Sequence, residues 1–159
     1  MANELQDPRH SSAGAWAKRL YFASRAVMES VLRPYDIGST QWYVLYQLTN
    51  DGPTMQRDLG RMLQVERATL SGIVSALVRK GLVEQTPDPA DQRQRMLRIT
   101  ASGLKLWDEL PDLALIEALA FDGVDAAELA TVVKVLQAAT QRLNNHLSKE
   151  IVDGDPLQP

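Results

Sequence analysis

Residues that are short, polar or basic share one face of a predicted helix between residues 66 and 80. They are Arg67, Thr69, Ser71, Gly72 and Ser75. The apolar residues of the segment fall on the opposite face, at the spacing of an amphipathic helix. Guanidinium and hydroxyl groups on such a slim face suit hydrogen bonds to phosphates and base edges, although a merely solvated helix surface would have the same composition.

A polar loop at residues 87–94 supplies a second set of groups with the same chemistry. Arg93 and Arg95 lie at or beside the tip of a predicted hairpin, where a guanidinium suits a narrow minor groove. Asp91 precedes Arg93 by two residues and is placed to orient its guanidinium through a charged hydrogen bond. Together with the helix, this loop predicts contacts to duplex DNA.

The distribution of charge agrees with a nucleic-acid partner, although the whole chain carries a net charge of -3. Residues 56–100 carry eight basic and five acidic side chains, whereas residues 101–159 carry four basic and ten acidic ones. One basic segment in an acidic protein is the asymmetry expected when only that segment faces phosphate. Taken alone, ordinary surface variation would explain the difference equally well.

A helix-turn-helix is predicted to position the polar helix face. Thr54 is predicted to cap a third helix, which ends at a tight turn at residues 64–65. The fourth helix then runs from about Glu66 to Lys80, and Gly81 ends it in a left-handed conformation. Gly60 is small where the two helices should cross, which lets their backbones approach closely.

Two strands at residues 82–86 and 95–99 are predicted to flank the loop and form a wing beside the helix pair. A major groove about 12 Å wide admits one helix, and the neighbouring helix must brace it from behind. Two short helices followed by a hairpin therefore predict a winged helix-turn-helix centred on residues 54–100.

Four amphipathic segments flank this unit, each bounded by a capping residue or a proline. They run from Ala15 to about Arg33, from Gly38-Ser39-Thr40 to Leu48, from Thr100 towards Pro111, and from Asp125 to about Glu150. Pro111 is expected to kink or break the fifth helix. The first and last helices carry broad apolar stripes that a domain of this size cannot cover, which predicts a homodimer, with an intramolecular helix pair as the alternative.

These boundaries predict five parts and a mainly α fold of six helices with a small β-wing. We expect a flexible arm at 1–12, N-terminal dimerisation and support helices at 13–50, the winged helix-turn-helix at 51–100, C-terminal linker and dimerisation helices at 101–152, and a tail at 153–159. No run of about 20 apolar residues and no basic-then-apolar leader is present, so we expect a cytoplasmic protein without a membrane partner.

The remaining composition argues against an enzyme. The chain has no cysteine, and its two histidines, His10 and His146, belong to no catalytic or metal-binding motif. We therefore expect no catalytic residue, no metal and no cofactor. A winged helix that binds protein instead of DNA is the second alternative, but such a face would carry more exposed aromatic residues.

The wing carries a sequence that resembles a known family. Residues 82–93 read Leu-Val-Glu-Gln-Thr-Pro-Asp-Pro-Ala-Asp-Gln-Arg, and residues 97–103 read Leu-Arg-Ile-Thr-Ala-Ser-Gly. They resemble the Asp-Pro-x-Asp-x-Arg wing and the Leu-Thr-x-x-Gly helix start of the MarR family of bacterial transcription regulators, with Ile99 for the usual leucine. The resemblance extends over nearly the whole chain, because the order of six helices around one wing also agrees.

The resemblance implies roles for the polar residues. Arg93 matches the family's minor-groove arginine, and Asp91 its orienting acid. Thr69 and Ser71 match recognition-helix positions that contact bases or phosphate. The start of the bracing helix, which touches the DNA backbone, is matched by Thr54, Gln56 and Arg57. Glu66 departs from the pattern, because the family often has serine or aspartate there and a glutamate caps poorly.

The resemblance also implies a homodimeric repressor that binds a pseudo-palindromic operator and is released by a small, often aromatic or phenolic, ligand. In similar proteins the ligand pocket lies between the dimer helices and the winged domain. Trp16, Tyr21, Trp42 and Tyr46 are expected as its walls, and Arg19 or Arg25 as the partner of an anion. The alternative is that these aromatic residues belong to the core and the arginines to the solvated surface.

Overall fold

The computed structural model describes residues 12–153, and the predicted arm and tail at residues 1–11 and 154–159 lie outside this range. The helices are α1 Ala13–Leu32, α2 Ser39–Asn50, α3 Gln56–Leu63, α4 Arg67–Arg79, α5 Ala101–Glu109, α6 Ala114–Ala120 and α7 Ala126–Asp153. The strands are β1 Thr54–Met55, β2 Val83–Pro87 and β3 Arg95–Ile99, and a short 3-10 turn covers Arg33–Tyr35. The prediction of a mainly α fold with a small wing is confirmed.

The three strands form one antiparallel sheet in the order β1-β3-β2. Thr54 pairs with Leu97, and Val83 pairs with Ile99 at the other side of β3. The prediction that Thr54 caps the third helix is therefore wrong. Its hydroxyl donates to the Gly52 carbonyl at 3.0 Å, and its β-branched side chain suits the strand, so α3 begins two residues later.

A continuous apolar core holds α4 in place. Leu70, Val74 and Leu77 of α4 are buried, together with Leu59 of α3 and Leu97 of β3. Burying side chains of this size removes apolar surface from water and is the main force that fixes the helix against its neighbours. The predicted inward face of α4 is confirmed, and its polar face consequently points away from the core.

The turn between α3 and α4 is tight and leaves the two helices in close contact. Gln64 adopts a left-handed conformation with φ 52°, and the Val65 N–H donates to the Gly60 carbonyl at 3.0 Å. A Cβ atom at Gly60 would lie 3.3 Å from Leu70 Cδ2. The prediction that Gly60 permits this crossing is confirmed.

The fifth predicted helix is broken at the expected place. The Thr100 hydroxyl accepts a hydrogen bond from the Gly103 N–H at 3.0 Å and so caps α5, as predicted. α5 ends at Glu109, before Pro111, and a separate α6 follows. Counted as one interrupted helix, α5 and α6 complete the six helices that the sequence predicts.

The chain divides into two compact units, the first ending at Ile116 and the second beginning at Glu117. The first unit contains the sheet and the core, and the second contains α7. The Asp125 carboxylate accepts hydrogen bonds from the N–H groups of Ala127 and Glu128 at 2.9 and 3.3 Å, which confirms it as the cap of α7. Within the described part of the chain, no helix has the length and hydropathy needed to cross a membrane.

Candidate nucleic-acid interface

The outward face of α4 is slim and open. Arg67, Thr69, Gly72 and Ser75 are exposed, and Ser71 is half-buried at the edge of the face. A Cβ atom at Gly72 would meet nothing within 4 Å, so the middle of the helix offers no obstacle to a close approach. All five predicted residues of α4 therefore lie on one side of the helix, opposite the buried leucines.

The N-terminal end of α4 is left open to an anion. Glu66 precedes the helix and makes no side-chain capping bond, as the sequence predicts, and the first turn holds no acidic residue. Arg67 lies in this turn, where the helix dipole disfavours a cation and a basic residue brings no benefit to folding. The N–H groups of the turn and the guanidinium together form a favourable environment for phosphate.

Gln56 connects the wing to α4 through two hydrogen bonds. Its side-chain carbonyl accepts from Gln85 Nε2 of β2 at 2.6 Å, and its Nε2 donates to the Ser71 hydroxyl at 3.2 Å. The sequence predicts Gln56 and Ser71 as separate DNA contacts, and the structure brings them together. Gln85 was not predicted, because no local pattern shows which residue of β2 faces α3.

Hydrogen bonds from main-chain N–H groups to two aspartate side chains hold the wing loop in shape. The Asp88 carboxylate accepts from the N–H groups of Ala90 and Asp91 at 2.6 and 3.2 Å, and Asp91 Oδ1 accepts from the Arg93 N–H at 3.0 Å. The prediction that Asp91 orients the Arg93 guanidinium is therefore wrong. A carboxylate two residues before an N–H closes an Asx-turn with that N–H, so Asp91 fixes the main chain of Arg93.

The arginines of the interface differ in whether their guanidinium groups are bonded within the chain. The Arg93 side chain is exposed, whereas Arg95 Nη1 donates to the Gln92 carbonyl at 3.0 Å and is tied to the loop. In α3, Asp58 Oδ1 lies 3.4 Å from Arg57 Nε and 3.7 Å from Arg61 Nη1. These exposed pairs are weak and leave both guanidinium groups accessible to phosphate.

The predicted ligand-binding residues fall into two groups. Trp42 and Tyr46 of α2 stack with ring centroids 5.2 Å apart, and Trp107 of α5 joins them at 5.4 and 6.0 Å. Trp107 was not predicted, because its apolar neighbours mark it only as part of a helix face. Trp42 and Trp107 also pack against the apolar core, as the alternative interpretation expects for Trp42.

The second group lies on α1 and is mostly exposed. The Arg19 guanidinium carbon lies 5.0 Å from the ring centroid of Trp16. Arg25 Nη1 donates to the Tyr21 hydroxyl at 3.4 Å. The exposed fractions of Trp16 and Tyr21 are 51% and 58%, so neither belongs to the core as the alternative interpretation required.

A cleft of about 610 Å³ lies between the end of α1, the turn before α2 and one side of α4. Arg25 is the only one of the six predicted ligand-binding residues that lines it. Lys80 crosses the cleft, with Nζ 3.0 Å from Asp36 Oδ2 and a further hydrogen bond to the Asp36 carbonyl. Thr69 and Ile73 of α4 form the opposite wall, which places the cleft directly beside the polar helix face.

Glu29 stabilises the start of α2 at the edge of this cleft. The Ser39 hydroxyl and N–H hydrogen-bond the Glu29 carboxylate, with the N–H to Oε1 distance at 2.9 Å. These bonds lower the pKa of Glu29 below its usual value, and the nearby Arg25 and Arg33 lower it further, whereas partial burial opposes them. The predicted turn at residues 38–40 is thus capped from α1.

Comparison with known sequences shows a match to the central part of the chain. A family model described as MarR family matches residues 35–94, which include α2, the helix-turn-helix and most of the wing. The HTH-type transcriptional repressor NicR of Pseudomonas putida is 29% identical over 125 residues, covering 78% of this chain and 79% of NicR.

Solved structures match over a larger part of the chain. A mutant MarR from E. coli complexed with operator DNA has a TM-score of 0.75 at 22% identity, covering 84% of this chain and 99% of that one. The PcaV transcriptional regulator from Streptomyces coelicolor, in complex with its natural ligand, has a TM-score of 0.67 at 26% identity, covering 81% and 92%. The fold of these proteins and the fold described above are the same.

Proposed function

We propose that the chain is a regulator of the MarR family, since the family model matches residues 35–94 and NicR is 29% identical. As such it binds a pseudo-palindromic duplex as a homodimer and represses transcription until a small ligand releases it. Such a regulator works in the bacterial cytoplasm, where the chromosome lies. NicR is named as a transcriptional repressor, which supports repression as the mode of action.

The observation that carries this proposal is the open polar face of α4 beside the exposed wing. Recognition in the major groove requires a helix that is narrow enough to enter the groove. Its outward side chains must be short, so that the helix comes close enough for them to reach base edges. Thr69, Gly72 and Ser75 meet both conditions, and Arg67 adds a charge for the flanking phosphate. Arg93 at the wing loop is exposed and suits the adjacent minor groove.

Exposed apolar side chains support the homodimer. α7 is 28 residues long, and apolar residues recur along it at helical spacing. They are Leu129, Val132, Val133, Leu136, Leu143 and Leu147. Leu143 is 66% exposed, and Leu20 and Phe22 of α1 are exposed as well. Apolar surface of this extent marks an interaction site, and a twofold pair would present two α4 helices to half-sites one helical turn apart.

The cleft supports an anionic effector. Arg25, Arg33 and Lys80 give it three cationic side chains against the two carboxylates of Glu29 and Asp36. We place the anionic group of the effector at Arg25, the residue on which the sequence prediction and the cleft agree. PcaV was solved with its natural ligand, which supports a ligand-responsive regulator of the same fold.

A gel-shift experiment tests the proposal. The duplex is the DNA upstream of the chain's own gene, together with the sequences that the protein selects from a random library. We expect a complex of two chains per duplex whose affinity falls steeply with added salt, because phosphate contacts release counterions. A panel of aromatic acids and their thioesters is then added, and at least one compound is expected to dissociate the complex. Absence of binding to every duplex at low ionic strength would refute the proposed function.

A further inference from the structure

We infer that Gln85 and Gln56 are positioning residues that make the Ser71 hydroxyl a hydrogen-bond donor towards DNA. The inference rests on the proposed DNA-binding function. It adds to that function the direction of one hydrogen bond, with Ser71 as the donor and DNA as the acceptor. Ser71 would then donate its hydrogen to an acceptor on the duplex, either a purine N7 or a phosphate oxygen.

The direction of the two hydrogen bonds carries the argument. A side-chain carboxamide has its acceptor and its donors on different atoms, so a partner at one end decides what the other end offers. Gln85 Nε2 donates to Gln56 Oε1 at 2.6 Å, which commits the Gln56 carbonyl to the wing. The Gln56 amide nitrogen therefore faces α4, where it donates to Ser71 Oγ at 3.2 Å.

Ser71 accepts this bond and keeps its own hydrogen for another partner. A serine hydroxyl has one hydrogen to donate and two lone pairs that accept. Within residues 12–153, no hydrogen bond uses the hydroxyl hydrogen of Ser71, even though a helical serine can donate to the carbonyl four residues earlier. Ser71 is half-buried at the edge of the exposed face, within reach of a bound duplex.

The same bonds couple the wing to the recognition helix. Gln85 lies on β2, Gln56 begins α3 and Ser71 lies on α4, so the chain of bonds crosses three elements. A change at Gln85 should therefore alter a contact made by α4 without touching DNA itself. If Gln56 instead met phosphate directly, its role would not depend on Gln85.

Fluorescence anisotropy with the duplex selected by the wild-type chain separates the two cases. Gln85→Ala and Gln56→Met are each expected to weaken binding about three- to tenfold, the range for one neutral hydrogen bond. The double variant is expected to bind no more weakly than Gln56→Met alone, because both changes disrupt the same series of hydrogen bonds to Ser71. Thr86→Ala, the exposed neighbour on the opposite face of β2, is the control and is expected to bind like the wild type.

A second set of variants and modified duplexes tests whether Ser71 donates a hydrogen bond to DNA. Ser71→Ala is expected to weaken binding as much as Gln85→Ala or Gln56→Met does. Ser71→Thr, which retains the hydroxyl, is expected to bind like the wild type. 7-Deazapurine and methylphosphonate replacements scanned through one half-site should then reveal a position that costs the wild type affinity but not Ser71→Ala. A deazapurine position identifies a base acceptor, and a methylphosphonate position identifies phosphate.

Thermal unfolding of each variant checks that the fold is intact. The inference is overturned if Gln85→Ala binds like the wild type. It is also overturned if the fold-decrease in affinity of the double variant equals the product of the fold-decreases of the two single variants. Failure of the wild type itself to bind any duplex would instead refute the proposed function, so the two failures are distinguishable.

Discussion

Arg93 holds its position through its main chain and leaves its guanidinium exposed at the wing loop. Arg93→Ala is expected to weaken operator binding by about 1–3 kcal/mol, the range for one specific contact, while leaving the homodimer intact. Anisotropy titrations and light scattering measure the two properties. Arg98→Ala removes another exposed charge from the same hairpin and is expected to cost less. Equal losses in both variants would show that the wing contributes only net charge.

Asp91 has a different role from the one its spacing to Arg93 suggests. It accepts from the Arg93 N–H and its own carbonyl accepts from the Gln94 N–H at 2.9 Å, so it shapes the loop. Asp91→Asn retains an acceptor oxygen and is expected to bind DNA nearly as well as the wild type, whereas Asp91→Ala should lose affinity. Similar losses in both variants would instead indicate that the charge of Asp91 matters.

Glu29 makes stability depend on pH. Its pKa is lowered in the folded protein by the hydrogen bonds from Ser39, so its contribution is fully present above its usual pKa of 4.5 and is lost as the pH falls through the lowered value. Glu29→Gln should therefore melt at a lower temperature than the wild type at pH 7, with the difference disappearing in acid. Asp122→Asn, which removes an exposed carboxylate, is the control. A difference as large in strong acid as at pH 7 would contradict the assignment.

At the scale of elements, the contact between α5 and the wing depends on Gly103. A Cβ atom there would collide with the Leu82 carbonyl oxygen and lie 2.7 Å from Ile99 Cγ1. Gly103→Ala is therefore expected to destabilise the fold by about 1–3 kcal/mol, as overpacking does. Gly72→Ala on α4 meets open space and should stabilise the helix by about 0.5–1 kcal/mol. Denaturant titration of both variants measures the contrast, and equal stabilities would contradict it.

Local signals predicted most of these elements. The apolar spacing of α4, the alternation in β3 and the caps at Thr100 and Asp125 each depend on residues within a few positions of one another. Thr54 belongs to a strand and not to the cap of α3, because it pairs with Leu97, far along the chain. The Gln85–Gln56–Ser71 bonds and the cleft likewise depend on distant residues meeting in space, which periodicity does not reveal.

At the scale of the whole molecule, the apolar stripe of α7 leads to a prediction about assembly. Leu143→Arg is expected to shift the protein from two chains towards one in light scattering, because a charge would be buried in the interface. Gln137→Arg places the same charge at an exposed polar position of α7 and is the control. An unchanged mass for Leu143→Arg would place the dimer contact elsewhere.

Hydroxyl-radical footprinting of the selected duplex tests the central claim most directly, since it reports where both wings and both α4 helices lie. We predict two protected patches related by twofold symmetry, with centres about one helical turn apart. Arg93→Ala should lose protection only at the outer minor grooves. A single unsymmetrical patch, or no protection of any duplex at low ionic strength, would contradict the account.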